Sequence, residues 1–174
     1  MPGNFTIKKA GVIDSGSIVI LGRNTFLAAH EGSAPKEDME DYLEEKLSKG
    51  AVEKELSDPS NVFYLLYSEG NLAGYSKIIY NAPCSFLPEN TKICKLERLY
   101  ISKEFYDKKL GYKLFAFNKN LCLQNDQAGI WLTVWVENDR AVAFYDRLGF
   151  KIVGEIMFSV GKHQNPNYVM WLEF

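Results

Sequence analysis

Residues 93–136 read ICKLERLYISKEFYDKKLGYKLFAFNKNLCLQNDQAGIWLTVWV, and the architecture turns on this stretch. Ile93 to Ile101 mixes branched, aromatic and leucine side chains and predicts a strand. Gly111 then opens a segment in which Leu114, Phe115, Phe117 and Leu121 are spaced for one helix face. Gly129 precedes IWLTVWV, apolar or β-branched on both alternations, which is how a central strand covered on both faces reads. Strand, helix, strand in succession implies a right-handed parallel crossover. Ligands of such units gather beside the carboxyl ends of the parallel strands, where a helix amino terminus can point free N–H groups at an anion. In this chain that place is Phe105 to Leu114.

Outward from this unit, Asn138 is placed to cap a helix whose inner stripe is Ala141, Phe144, Tyr145 and Leu148, with Gly149 just past its end. Lys151 to Phe158 and Asn167 to Phe174 follow as strand candidates, joined by a polar loop over Gly161 to Pro166. On the amino-terminal side, Phe5 to Ala10 predicts a strand, and Asp14 and Ser15 are capping types ahead of an apolar helix. Glu31 to Asp58 holds ten acidic residues against four lysines, with Met39, Tyr42, Leu43 and Leu47 in helical spacing, so one or two amphipathic helices fit. Val62 to Tyr67 and Leu72 to Tyr80 flank Ser-Glu-Gly-Asn and predict a hairpin; Asn81 to Lys92, with Pro83 and Pro88, predicts a loop. The expected fold is mixed α/β, an α+β arrangement in one domain spanning 1–174: about seven strands, mostly antiparallel, with helices on both faces.

At 174 residues and 47% apolar composition the chain can bury a core without disulfides or a structural metal. Cys84, Cys94 and Cys122 are odd in number and lack C-x-x-C spacing, which points to a reducing cytoplasm. The opening MPGNFTIKKAGVI lacks the pattern of a secretory leader, and no apolar run approaches bilayer-spanning length, so neither export nor a membrane is expected. A net charge of −2 and a pI near 5.8 argue against nucleic acid as partner.

The residues offer several constellations for chemistry. FYDKKLGYKL gives backbone donors with Lys108, Lys109 and Lys113 nearby, which suits a phosphate; a plain strand-to-helix turn with solvated lysines is the other reading. Glu97, inside an apolar strand, either pairs with Arg98 or another cation or faces a wet cleft. Tyr145 reads by periodicity as a core aromatic with its hydroxyl at the rim. His30 and His163 have no ligand spacing, so no metal is expected, and the cysteines lack a visible base. The acidic 31–58 region either attracts a cationic substrate or is a solvated helix face.

Together, LERLYI, the KKLGYKLF turn, and Asn138, Ala141, Phe144 and Tyr145 followed by Leu148, Gly149 and Phe150 resemble the GNAT superfamily of N-acetyltransferases. More narrowly, NTFLAAHEGSAPKEDMEDYLEEKLS, FYLLY and LAGYSKI look like the bacterial Pai-type spermidine/spermine acetyltransferases. One departure stands out: where that superfamily's turn reads Q/R-x-x-G-x-G/A, this chain has Tyr106, Lys109 and Gly111, and the last alone fits.

The resemblance implies acetyl-CoA as co-substrate and an amine as acceptor. The backbone of Leu99, Tyr100 and Ile101 would pair with the pantetheine arm in a gap where two parallel strands splay. Asn138 would bond the same arm, with Ala141 and Phe144 beside it, and Lys108, Lys109, Leu110, Gly111, Tyr112, Lys113 and Leu114 would hold the diphosphate. Glu97 would act as base and Tyr145 as the acid that protonates the leaving thiolate. It further implies a polyamine acceptor such as spermidine or spermine, with peptide or protein N-terminal acetylation, or non-catalytic acetyl-CoA binding, as alternatives. A monomer or a homodimer is expected.

Overall fold

The computed structural model describes residues 4–174; Met1–Gly3, part of the opening stretch read for a leader, lie outside the described residues. Seven strands form one sheet: β1 (Phe5–Lys9), β2 (Asn61–Ser68), β3 (Asn71–Ile79), β4 (Cys94–Ile101), β5 (Gly129–Trp135), β6 (Lys151–Val160) and β7 (His163–Glu173). Their spatial order is β1-β2-β3-β4-β5-β7-β6. Every neighbouring pair is antiparallel except β4 and β5. The helices are α1 (Ser15–Ala29), α2 (Lys36–Lys46), α3 (Lys49–Ser57), α4 (Leu110–Gln124) and α5 (Asp139–Arg147).

Burial sorts the helices onto two faces. Ile18, Leu21 and Phe26 of α1, Met39 and Leu43 of α2 and Val52 of α3 pack with Phe63, Leu65 and Tyr75 of the sheet. On the opposite face Phe115 and Cys122 of α4 and Tyr145 of α5 pack with Ile78, Leu96, Leu132 and Met170. The buried stripe of α4 is Leu110, Leu114, Phe115, Asn118 and Cys122, so Phe117 and Leu121, expected inside, are half-buried at its flank. Within that stripe Asn118 is half satisfied: its Oδ1 accepts a bond from Ser76 Oγ at 3.1 Å, while its Nδ2 has no partner among the described residues.

Local chemistry sets the joints. Glu69 and Gly70, both with positive φ, close the β2–β3 hairpin in the handedness that matches strand twist. The polar loop expected over Gly161 to Pro166 is instead a tight turn: Val160 pairs directly with His163, and Gly161 takes the left-handed conformation. Polar residues extend this hairpin because a ladder at an exposed end needs backbone pairing and not apolar side chains.

Two irregularities lie in β4. Lys77 of β3 faces Arg98 and Ile78 faces Leu96, so Glu97 is the extra residue of a bulge, a feature that bends a strand and re-aims a side chain. On its other edge β4 pairs with β5 through Cys94↔Ile130 and Lys95↔Trp131, after which the two strands separate. The sheet is therefore split at the carboxyl ends of its parallel pair.

Candidate active site

A cleft of about 940 Å³ fills this split and continues over the α1–α3 face of the sheet. Its upper half lies between the amino termini of α4 and α5. Lys109 caps α4 with φ 55° and ψ 25°, a left-handed conformation, and its side chain makes no capping bond. The first N–H groups of a helix have no intrahelical acceptor, so those of Leu110, Gly111 and Tyr112 are free for an anion. Lys109, Gly111 and Tyr112 line the cleft, together with Lys103, Arg140 and Arg147. The Arg140 guanidinium sits 3.4 Å from the centre of the Tyr106 ring, and Arg147 Nε donates to the Tyr112 hydroxyl at 3.1 Å.

The other lysines of the turn face elsewhere. Lys108 is 3.7 Å from Glu69 and lies over the Phe105 ring, and Lys113 lies over the Phe5 ring. Leu110 and Leu114 are buried in the core beneath α4, so from this turn they offer backbone alone. The cationic lining thus comes mostly from Lys103, Arg140 and Arg147, outside the turn that the sequence singled out.

At the split itself the cleft is lined by Leu99, Tyr100 and Ile101 of β4 and by Asn138, Ala141, Phe144 and Tyr145 of α5. Asn138 Oδ1 accepts the N–H of Ala141 as the helix cap, and its Nδ2 donates to the Ala29 carbonyl of α1 at 3.4 Å. One amide hydrogen is left for a ligand. The Tyr145 ring is held edge-on by Phe144 and Phe150, and burial, followed by its neighbour Tyr100, pushes its hydroxyl far above the usual phenol range. Tyr145 is therefore held in its protonated form at neutral pH.

Glu97 does both things its sequence context allowed: it lines the cleft and it is paired. Its carboxylate contacts the ammonium of Lys77, whose side chain is 4% exposed, and lies 3.5 Å from Lys95. Lys77 also meets Glu55 of α3 at 3.2 Å, and Arg98 holds Glu55 through two bonds at 2.8 and 3.1 Å. Burial alone would raise the Glu97 carboxyl, but Lys77, Lys95 and Arg98 outweigh it and hold it below the usual carboxylate value. Glu55 and Lys77 were not anticipated, although Lys77 stands in the apolar run LAGYSKII and answers to the argument that singled out Glu97.

The lower half is aromatic. Phe26 and His30 at the end of α1, Tyr42 of α2, Trp135 of β5 and Phe158 of β6 line it, with Asn167 of β7. The acidic residues of α2 do not: from that helix Tyr42 and Lys46 face the cleft, while Glu40 and Glu44 pair with Arg23 at 3.0 Å. Among the described residues no group of three or more His, Cys, Asp or Glu could hold a metal ion, and no helix is long and apolar enough to cross a membrane.

A split between parallel strands, beside a helix amino terminus with free N–H groups and cationic flanks, fits an extended, polyanionic ligand lying along β4. Residues 23–150 match the family model described as Acetyltransferase (GNAT) family. The chain belongs to that family. It is an acetyl-CoA-dependent acyltransferase, and the free helix donors, the open edge of β4 and the cations around them fit coenzyme A. An uncharacterized N-acetyltransferase in the pepI 3′ region of Lactobacillus delbrueckii subsp. lactis is 27% identical over 158 residues, covering 90% of each chain. The PaiA N-acetyltransferase of Thermoplasma acidophilum, solved in complex with coenzyme A, superposes with a TM-score of 0.78 at 19% identity, covering 98% of this GNAT chain and 99% of that one. The spermidine/spermine N-acetyltransferase SpeG of Vibrio cholerae gives 0.68 at 17% identity, over 98% of this chain and 95% of its own. At these identities the structural likenesses speak for the fold.

Proposed function

We propose that this protein transfers the acetyl group of acetyl-CoA directly to a primary amine, with Tyr145 protonating the departing sulfur. Acetyl-CoA supplies the activated acetyl thioester. The single observation that carries the reading is the split after Lys95 and Trp131, which leaves one edge of β4 open beside Tyr145 and below the free N–H groups of α4. The backbone of Leu99, Tyr100 and Ile101 holds the pantetheine arm as an added strand, and a β4 N–H polarises the thioester carbonyl. The first turn of α4, with Lys103, Lys109, Arg140 and Arg147, holds the diphosphate.

Two expectations from the sequence change weight here. A polyamine needs spaced, available carboxylates, yet Glu55 and Glu97 are the two that line the cleft, and both are engaged by Lys77, Arg98 or Lys95. What supports a polyamine is the likeness to SpeG, and that likeness speaks for the fold. Glu97 has both carboxylate oxygens engaged by cations, Oε2 by Lys77 and Oε1 by Lys95, which leaves it poorly placed to take a proton from an alkylammonium. Its position at the bulge, against a buried lysine, favours a role in shaping β4.

The test is a thiol-release assay with acetyl-CoA and a panel of amines, alongside a titration of coenzyme A binding. Acetyl transfer to at least one amine supports the reading; coenzyme A binding with no transfer to any of them replaces it with a non-catalytic binding domain.

A further inference from the structure

Acetyl transfer by Tyr145 and the open edge of β4 makes no use of the groups in the lower half of the cleft. Trp135, Asn167 and Ile156 lie side by side across the sheet, since Asn167 pairs with Trp135 on one side and with Ile156 on the other. Residues paired in this way share a face, and all three line the cleft. Asn167 is 4% exposed, and its Oδ1 has no hydrogen-bond partner among the described residues. A buried amide oxygen without a donor costs about 1–3 kcal/mol, and of the four buried side-chain atoms in that state among the described residues Asn167 Oδ1 is the one whose residue lines the cleft.

His30 closes the same space from above. Its ring stacks on Phe26 at 4.1 Å and lies 6.2 Å from Trp135 and 5.9 Å from Phe158. Nδ1 is 3.1 Å from the Phe26 carbonyl, and because a carbonyl only accepts, Nδ1 carries the proton. Nε2 is thereby left with a free lone pair, and it has no partner among the described residues. Burial also favours the neutral ring, pushing its pKa below the ordinary value against the opposing bond to Phe26. The elements around it add little charge. Tyr42 of α2 stacks on Phe26 with its hydroxyl held protonated by burial, Phe158 and Ile156 of β6 and Trp135 of β5 are uncharged, and Lys46 is occupied by Glu45 at 2.7 Å.

Taking acetyl transfer to an amine as given, we infer that this aromatic chamber is the acceptor site for a primary amine carried on a flat apolar body. Asn167 takes the amine hydrogen bond and His30 Nε2 takes the proton. The chamber offers ring faces, which attract an ammonium on entry, and no free carboxylate, which a polycation would need. Desolvation between the rings favours the neutral amine, and Nε2 removes one proton from the ammonium. The freed lone pair forms the C–N bond as the C–S bond of the thioester breaks. The sulfur gains the Tyr145 proton, the new amide nitrogen gives up its second proton, which through solvent restores the Tyr145 hydroxyl, and the proton on His30 leaves to solvent.

The experiment measures kcat/KM from pH 5 to 9 for 2-phenylethylamine, spermidine and a peptide with a free amino terminus. Binding of each amine is read separately by the fluorescence of the intact protein, since Trp131 and Trp135 line the cleft. The expected result is a preference for 2-phenylethylamine, with kcat/KM falling as the pH drops below the ordinary histidine value of 6.5. His30→Gln should lose roughly 10²-fold in kcat and flatten that acid limb while still binding coenzyme A. Asn167→Ala should raise KM for the amine about tenfold and leave the limb in place. A preference for spermidine or for the peptide, or an acid limb that survives in His30→Gln and disappears in Glu97→Gln, overturns this assignment and leaves acetyl transfer standing. Coenzyme A binding without turnover of any amine overturns acetyl transfer and this assignment with it.

Discussion

The two halves of the cleft are built by different means. The upper half uses main chain: an open strand edge and a helix amino terminus, placed by the short segment from β4 to α4. The lower half uses side chains delivered by α1, α2, β5, β6 and β7, from Phe26 to Asn167. Backbone recognises what is common to every reaction of a family, and side chains recognise what differs. The first keeps its free helix donors although Tyr106 and Lys109 depart from the family's pattern in its turn, while the second presents a few rings and one amide.

The contrast breaks most sharply at Tyr145, where the halves meet. Tyr145→Phe keeps the ring that Phe144 and Phe150 hold and removes the proton, so kcat should fall by on the order of 10²-fold or more while coenzyme A affinity is retained; steady-state turnover and a binding titration read the two separately. Unchanged turnover would remove Tyr145 from the reaction.

The charged network is next. Glu97→Gln leaves buried Lys77 with Glu55 as its remaining carboxylate and should cost about 1.5–3 kcal/mol of unfolding free energy by denaturant titration. Because the folded-state pKa of Glu97 is held below its ordinary 4.5, its contribution is full above that pH and is lost as the pH falls through the folded value. The wild type should therefore lose more stability than the variant as the pH falls from 5 to below the ordinary value of 4.5. Equal losses would mean that Lys77 gains nothing from Glu97.

Arg140→Ala should raise KM for acetyl-CoA roughly tenfold with kcat little changed, since the residue supplies charge to the upper half from outside the turn. An unchanged KM would return the anion contacts to the main chain. The smallest effect belongs to Lys109→Gly, which relieves a left-handed non-glycine residue at φ 55° and should stabilise the fold by about 1 kcal/mol, seen as a rise in Tm.

How much of this was legible follows the same division. The order of elements and the parallel pair were readable because β4, α4 and β5 carry continuous periodic signals. Glu97 and Tyr145 were readable as a charge in an apolar strand and a motif tyrosine, and both line the cleft. Lys108 and Lys113 look equivalent to Lys109 along the chain, yet they lie over Phe105 and Phe5 because the turn before α4 points them outward. The acidic run 31–58 suggested a cationic acceptor, but charge counted along the chain does not say which helix face meets the cleft, and Arg23 spans Glu40 and Glu44 on the outer side. His30 and Asn167 carry no periodic or spacing signal; topology alone brings them together across 137 positions of sequence.

The short ladder between β4 and β5 also bears on how the molecule breathes. Two residue pairs stitch the block β1–β4 to the block β5–β7 within the sheet, and the rest of the joint is side-chain packing such as Ile78 and Leu96 with Leu132 and Met170, so amide exchange is expected to find the main-chain joint opening before either block. A strand-like arm laid in the gap would add main-chain bonds along β4 and contacts with α5, and would so couple the two blocks. Deuterium uptake in both blocks should slow together on addition of coenzyme A, far beyond the residues it touches. Such joint slowing would make the cooperativity of this fold in part a property of its liganded state.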